Sequence, residues 1–320
     1  MTVTQVPARA VTQRAPKIAL VCTTIGRWPE LGRMLESAAS GRQRPDLVVI
    51  VDQSHESAVP DADAGVSGAL AVPACGLSVI VVRDDGLGIS RGRNVGINEA
   101  LGQITDAGDW VIGFPDDDVW FDDETLIAAA NAFTFEDRLD VVSGWLAQHD
   151  GTPSRAAWPT RARRLTTWTI VGRTVEAATF VRATVFSTGL RFNPAFGAGA
   201  AGPLGSGEGV EFLSRVIRAG FSVGFDPSIA VFEHPPTVSA ARGKSYAMGE
   251  GAALSVAWPP GVRRSWRLFA RPLLRPIRAA LRGRKGDLRA DLLRARYLRS
   301  GARYARQINP AFDAQRSIGK

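Results

Sequence analysis

The sequence predicts an α/β fold, a mostly parallel sheet with helices on both faces, followed by a basic helical tail. Three observations predict it. Short apolar runs alternate with helix-period segments through the first half of the chain. Acidic and small polar residues gather at the ends of those runs. The charge is unevenly spread: residues 261–320 hold 17 Lys+Arg against 3 Asp+Glu, a net of +14, while residues 1–260 hold 22 against 28, a net of −6.

The elements follow in order. "MTVTQVPARAVTQRAPK" lacks the apolar core of a signal peptide, so residues 1–16 read as a flexible leader. "KIALVCTT" (17–24) is a short apolar run ending in small polar residues, a buried first strand. A helix is expected from Trp28 to Ser40, with Leu31, Met34, Leu35 and Ala38 on one face and Gly41 as its stop. "DLVVIVDQS" (46–54) and "GLSVIVVRDD" (76–85) are the second and third strands. "SRGRNVGINEALG" (90–102) is a helix with Ser90 as N-cap and Gly102 at its end. "DWVIGFP" (109–115) is a fourth strand that Pro115 stops, and "DDETLIAAANAFTF" (122–135) the next helix. Farther on, "LDVVSGWL" (139–146) and "EAATFVRATVF" (176–186) read as strands. "GEGVEFLSRVIRAG" (207–220) is a helix that buries Phe212, Val216 and Ile217 and ends at Gly220. After "FEHPP" (232–236) the pattern is basic and helical.

Composition narrows the class. At 320 residues, 45% hydrophobic and 22% charged, the chain is long enough for a large core and is not a disordered polyampholyte. Two cysteines, Cys22 and Cys75, make no disulfide framework and read as reduced core thiols of a cytosolic protein. No apolar run approaches the roughly 18 residues that span a bilayer.

In open α/β sheets, ligands bind outside the carboxyl ends of the strands. Thr23 and Thr24, Asp52, Asp84 and Asp85, and Asp116–Asp118 all end strands, so they should meet on one rim. "FPDDDVWFDDE" (114–124) packs six carboxylates into eleven positions. Asp122, Asp123 and Glu124 lead into a helix, where capping and the helix dipole favour acids. Asp116–Asp118 lie between a strand end and Trp120, and hard oxygen ligands on such a turn suit Mg²⁺ or Mn²⁺. In "GLGISRGRNVGI" (86–97), Arg91 and Arg93 stand in a first helical turn, which disfavours cations unless they help that helix end bind an anion such as pyrophosphate. The alternative is that both lean into solvent. Asp52 could accept hydrogen bonds from a ribose or base, or simply form a turn. Glu208 and Glu211, three residues apart at a helix start, could supply a general base or satisfy the helix dipole. His234 follows a strand-like "IAVFE" that would deliver it to the same pocket, although a lone histidine is more often structural.

Together these motifs resemble the family 2 inverting glycosyltransferases of the GT-A fold. The resemblance spans about residues 17–255 and runs through "VCTTIGRWPEL", "VVIVDQS", "GISRGRNVGI", "GFPDDDVWF", "RFNPAFGAGA…GSGEGVEFLSRVIRAG", "EHPP" and "KSYAMGEGAAL". It implies a nucleotide-binding half (17–135) on a mixed, Rossmann-like central sheet, an acceptor-binding half (136–255) and a basic helical tail (256–320). It further implies that Thr23, Arg27 and Asp52 hold the nucleoside of a nucleotide-diphosphate-sugar and that Arg91 holds its diphosphate. Asp116, Asp117 and Asp118 would match the family's DxD-type motif, which places a divalent metal, Mg²⁺ or Mn²⁺, on that diphosphate; Asp117 is grouped with the donor-binding residues and Asp116, Asp118 and His234 with the metal. Glu208 falls at the base motif. Many relatives read Glu-Asp there, whereas here Gly209 follows, so either Glu208 or Glu211 is the base, with Glu208 preferred. The acceptor implied is a glycan or lipid-linked hydroxyl.

The tail carries its own signal. "RRSWRLFARPLLRPIRAALRGRK" (263–285) sets Trp266, Phe269, Leu273, Ile277 and Leu281 among arginines at near-helical spacing, the pattern of an interfacial helix on anionic lipid. Pro272 and Pro276 argue against one smooth helix. Packing against the body is the other reading. Such a tail would place the protein on the inner face of the cell membrane, and no nucleic-acid module accompanies the charge. Two rival functions remain at this level: a nucleotidyltransferase, which lacks its usual Gly-rich basic loop after the first strand, and a non-catalytic protein that binds anions or membranes on the same fold.

Overall fold

The structure, a computed structural model, describes residues 15–54, 75–134, 139–154, 158–234, 240–258, 274 and 288–308. Four strands form a parallel half-sheet in the order β3–β2–β1–β4: β1 (Lys17–Thr24), β2 (Leu47–Asp52), β3 (Val79–Arg83) and β4 (Trp110–Gly113). Thr24 pairs with Asp52, and Asp52 with Arg83, so the carboxyl ends of these strands are level. β1 shows why a continuous apolar run suits this place. Ile18, Leu20 and Cys22 enter one core cluster, while Ala19 and Val21 enter the other.

Helices cover both faces. On one side lie α1 (Trp28–Ser40), through Leu31, Met34, Leu35 and Ala38, and α3 (Thr125–Ala132), through Leu126, Ala129 and Ala130. On the other lie α2 (Ile89–Gln103), through Ile97 and Ala100, and α5 (Glu208–Arg218), through Phe212, Leu213 and Val216. Ile217 is only partly buried.

Beyond β4 the sheet is mixed. β8 (Thr179–Arg182) runs antiparallel to β4 and to β6 (Val141–Gln148). β9 (Val223–Glu233) pairs parallel with β6, while β5 (Val119–Phe121) and β7 (Arg163–Leu165) flank β9 antiparallel. Four of the eight pairings are antiparallel, so the mostly parallel sheet expected from strand–helix alternation is corrected to the mixed sheet that the family resemblance implies.

Several element boundaries shift for identifiable reasons. "EAATFVRATVF" is not one strand. A 3₁₀ turn (Glu176–Ala178) leads into β8, and α4 (Ala183–Ser187) follows. Its partner β4 is only four residues long, ending just before Phe114 and Pro115, and a proline cannot extend a ladder. The helix expected from residue 122 starts at Thr125, because the Asp122 carboxylate first closes a turn on the backbone N–H groups of Glu124 (3.1 Å) and Thr125 (2.8 Å). Ser90 is not the N-cap of α2; Gly88 is, at φ 112°, and Gly102 lies inside the helix. Of the two free cysteines, Cys22 is buried in the core, but Cys75 sits half-exposed in a turn at φ 45°.

The described part of the tail packs back on the body. α6 (Ala240–Ala257) and α7 (Leu288–Ile308) form an antiparallel pair in which Gly251 lies against the Leu298 backbone and Gly301 against the Met248 backbone. Ala295, Leu298, Ala302 and Ala305 are buried, and Arg294 pairs with Glu250. The leader through residue 14 and the basic stripe of 263–285, apart from Leu274, lie outside the described residues. No helix among the described residues is long and apolar enough to cross a membrane.

A Cβ on Gly301 would overlap the Met248 carbonyl oxygen, whereas one on Gly102 would meet nothing within 4 Å. Gly301→Ala is therefore expected to destabilise by about 1–3 kcal/mol through overpacking. Gly102→Ala should be neutral or stabilise by up to about 1 kcal/mol through helix propensity. Urea unfolding of the two variants beside the wild type checks both signs.

Candidate active site at the carboxyl rim of the sheet

The level strand ends gather the first half of the site. Thr23, near the end of β1, forms a bridge with Asp116, just past β4. Its buried hydroxyl has no hydrogen-bond partner, and Gly92 of α2 packs so close that a Cβ there would stand 2.8 Å from it. Thr24 accepts from the backbone N–H groups of Gly26 and Arg27, both at 3.2 Å, which turns the chain sharply after β1. Asp52 is buried, accepting from Ser54 N at 2.9 Å and from Arg83 Nη1 at 2.8 Å.

The three consecutive aspartates divide. Asp117 points inward, 1% exposed, and burial pushes its carboxyl up to about 6 against the pull of Arg27. Arg27 spans two acids, pairing with Asp117 through Nε (3.1 Å) and Nη2, and with Asp118 through Nη1 (2.6 Å). Asp116 keeps a third of its surface open, yet the protein packed around it desolvates it and raises its pKa despite Arg93. Val119 pairs with Glu233, so Asp118 and His234 are the next residues of the two antiparallel strands. The His234 ring is exposed, 4.9 Å from Trp120 and 6.2 Å from His149.

Among the described residues, no three His, Cys, Asp or Glu side chains form a closed metal cage. Mg²⁺ and Mn²⁺ sites at substrate phosphates need no such cage, taking one or two carboxylates and completing the shell with water and phosphate oxygen. Asp116 and Asp118, half-exposed and already recruiting arginine as counter-charge, fit that open arrangement.

The second half of the site is brought in by Arg93. This side chain is 3% exposed, lies over the Phe192 ring at 5.5 Å, and donates to Asp116 Oδ1 at 3.0 Å and Glu208 Oε1 at 3.4 Å. Glu208 opens α5 after Gly207, which holds φ 89°. Burial, then the negative charge of Glu176, push the Glu208 carboxyl up to about 7, with Arg93 opposing. The loop between Phe192 and Gly205 is tied to α2. Asn94 bonds both the N–H and the carbonyl of Phe192 at 2.8 Å, and the Ser90 hydroxyl donates to the Phe196 carbonyl at 2.7 Å. From the other side, α6 anchors the approach to Glu208, the Ser245 carbonyl accepting from Gly205 N and the Tyr246 carbonyl from the Ser206 hydroxyl.

The sequence-predicted residues thus fall into three sets. Thr23, Arg27, Asp116, Asp117, Asp118 and Glu208 form one contiguous cluster through the Thr23–Asp116 bridge and the Arg27 and Arg93 ion pairs, with Asp52 opposite Thr24 and His234 opposite Asp118 at its edges. Arg91 instead reaches outward, half exposed, and clamps Asp84 at 2.7 Å. Burial alone would raise Asp84, but Arg91, Gln53 and the Gly86 N–H hold it below the usual carboxylate range. Glu211 is fully buried in a two-point ion pair with Arg215, both contacts at 2.8 Å, and does not face the cleft. Arg93 and Glu176 are the charged residues that the site-residue reading missed. Arg93 was visible as a cation in a first helical turn. Glu176 had no local signal, since only the fold carries it to the rim.

The sequence pattern described as glycosyl transferase family 2 matches residues 20–193, more than half of the chain. The chain belongs to glycosyl transferase family 2. No curated protein is a significant sequence match. Among solved structures, this family 2 chain is similar in fold to S. aureus TarS 1-349 in complex with UDP-GlcNAc, at 15% identity and TM-score 0.52 over 93% of this chain and 92% of that one. It is also similar to the mannosyltransferase PcManGT from Pyrobaculum calidifontis in complex with GDP-Man and Mn²⁺, at 15% identity and TM-score 0.55 over 92% and 88% of the two chains. The GT-A fold is thereby shared across almost the whole length.

The two arginines of α2 should separate by stability. Arg93→Met leaves two acids without their common buried counter-charge and is expected to cost about 3–5 kcal/mol. Arg91→Met removes a half-exposed partner from Asp84, which keeps its bonds from Gln53 and Gly86 N–H, and should cost less than Arg93→Met. Chemical denaturation at pH 7 distinguishes them.

Proposed function

We propose that this family 2 enzyme is an inverting, divalent-metal-dependent transferase that moves a sugar from a nucleotide-diphosphate-sugar to a hydroxyl of a glycan or lipid-linked acceptor, in the assembly of cell-surface polysaccharide or glycolipid. The observation that supports the reading is the Arg93 bridge, which joins Asp116, taken as the donor-side carboxylate, to Glu208, taken as the acceptor-side one.

Thr23, Arg27 and Asp52 hold the nucleoside. The unpartnered Thr23 hydroxyl supports this, as a buried donor that a ligand would satisfy. Asp116 and Asp118, with His234 at the edge, would hold Mg²⁺ or Mn²⁺, which when bound supplies positive charge to the donor diphosphate. Arg93 adds fixed positive charge where the leaving group gains negative charge, and Arg91 steers the anionic donor from the rim. Glu208 accepts the proton of the acceptor hydroxyl, because it is the carboxylate of α5 that faces the cleft. Attack from the side opposite the leaving diphosphate inverts the anomeric centre. The basic stretch 263–285 holds the protein on the anionic inner face of the cell membrane, a reading supported by the net charge of +14 beyond residue 260.

Transfer from a panel of nucleotide-sugars should be abolished by EDTA and restored by Mn²⁺, and Asp118→Ala should lower it at least tenfold. Transfer at full rate in EDTA overturns the metal requirement. The active form of Glu208 is the ionised one, so the rate should fall as pH drops through about 7. Glu208→Gln should cost about 10²–10⁴-fold in kcat, the usual worth of a general base.

The full chain should float with vesicles containing phosphatidylglycerol and not with neutral ones. Trp266→Ser with Phe269→Ser should reduce that flotation, and unchanged flotation removes the stretch as the anchor.

A further inference from the structure

α5 carries a glycine, Gly209, directly after Glu208, where its backbone is ordinary helix and asks for none. The reason lies in the space beside it. A Cβ on Gly209 would overlap the carboxylate of Glu176, meeting Oε1, Cδ and Cγ. The place that a side chain of residue 209 would take is therefore filled by an acid from elsewhere in the chain. Topology delivers it. β8 runs antiparallel to β4, so the turn that precedes β8 and begins with Glu176 returns to the rim where β4 hands over to Asp116.

Glu176 and Glu208 differ in how they are held. Glu208 is nearly buried, engaged by Arg93, and its carboxyl carbon would lie 3.3 Å from a Cβ on Gly197. Glu176 is half-buried, and its carboxylate makes no hydrogen bond or ion pair among the described residues, although its backbone carbonyl accepts from Thr179 N–H. It also lines a small cavity with Gly209, Phe114, Phe192 and Phe212. Glutamine would fill the same volume without repelling Glu208, so packing alone does not call for a carboxylate here.

We propose that Glu176 is a second catalytic carboxylate, acting beside Glu208 from the position that the side chain of residue 209 would occupy. The proposal rests on the transferase reading above. In the step, the acceptor O–H bond breaks and its proton passes to a carboxylate oxygen of the pair. The freed oxygen lone pair forms the bond to the anomeric carbon. The bond from that carbon to the donor phosphate oxygen breaks, and its electrons leave with the diphosphate.

The test compares Glu176→Gln, Glu176→Ala and the double variant Glu176→Ala/Gly209→Asp, which moves the carboxylate to the helix. Glu176→Gln is expected to lower kcat at least tenfold while KM for the donor, and the thermal shift given by UDP with Mn²⁺, stay as in the wild type. The double variant is expected to recover at least a tenth of the wild-type kcat from the level of Glu176→Ala. Wild-type kcat in Glu176→Gln overturns the proposal, as does a loss of donor binding that parallels the loss of rate. A folded double variant no better than Glu176→Ala overturns it in favour of a packing role. If the double variant does not fold, the near-isosteric Glu176→Gln decides alone. An inactive wild-type chain overturns the transferase reading and this role with it, whereas an active wild type matched by Glu176→Gln overturns the role of Glu176 only.

Discussion

The site depends on one buried guanidinium. Arg93 joins an acid that follows β4 to an acid that opens α5, and the two would otherwise face each other across a poorly hydrated floor. Taking a guanidinium out of water is costly, and its cost is offset only when its partners are fixed in place. Here they are. Asp116 is tied into the sheet through its bridge to Thr23, Glu208 is held by Gly207 and the segment anchored on α6, and Phe192 covers the guanidinium face. Losing the arginine would loosen the end of β4 and the start of α5 together, which makes it a structural and an electrostatic centre at once.

Around that pair the chain arranges its acids by how each is neutralised. Glu211 is paid off by Arg215 within one helix, Asp84 by Arg91 at the mouth, and Asp52 by Arg83 between neighbouring strands. Glu211 and Asp84 are committed to structure by those pairs. Asp116, Asp118 and Glu208 share their arginines or keep open surface, and Glu176 has no arginine partner among the described residues, so these are the acids with capacity left for a cation or a proton.

The C-terminal helices belong to the same logic. α6 presents backbone carbonyls to Gly205 and Ser206, immediately before Glu208, and α7 is pressed onto α6 through two glycines, with Tyr304 close to Gly202 in the acceptor-side loop. Residues that look like an appendage by charge therefore help fix the segment that leads into Glu208.

Local pattern determined much of this protein. Apolar runs of β1, β2 and β3, the one-sided stripe of α1, and the acids at strand ends were legible because they answer to periodicity and to the rule that ligands gather beyond parallel strands. Thr23 and Asp116–Asp118 were legible as neighbours at one rim in the same way, whereas Arg27 and Glu208 were singled out by the family resemblance. Long-range pairing decided the rest. Only the antiparallel course of β8 could split "EAATFVRATVF" into turn, strand and helix and carry Glu176 to the rim. Only the reach of α2 over the loop of Phe192 and Phe196 could turn Arg93 inward and leave Arg91 outside. Two arginines two residues apart, or two glutamates three apart on a helix, are equivalent to a local rule. They become different once the neighbouring helix, strand or sheet supplies each with a partner, and that supply is a property of the fold.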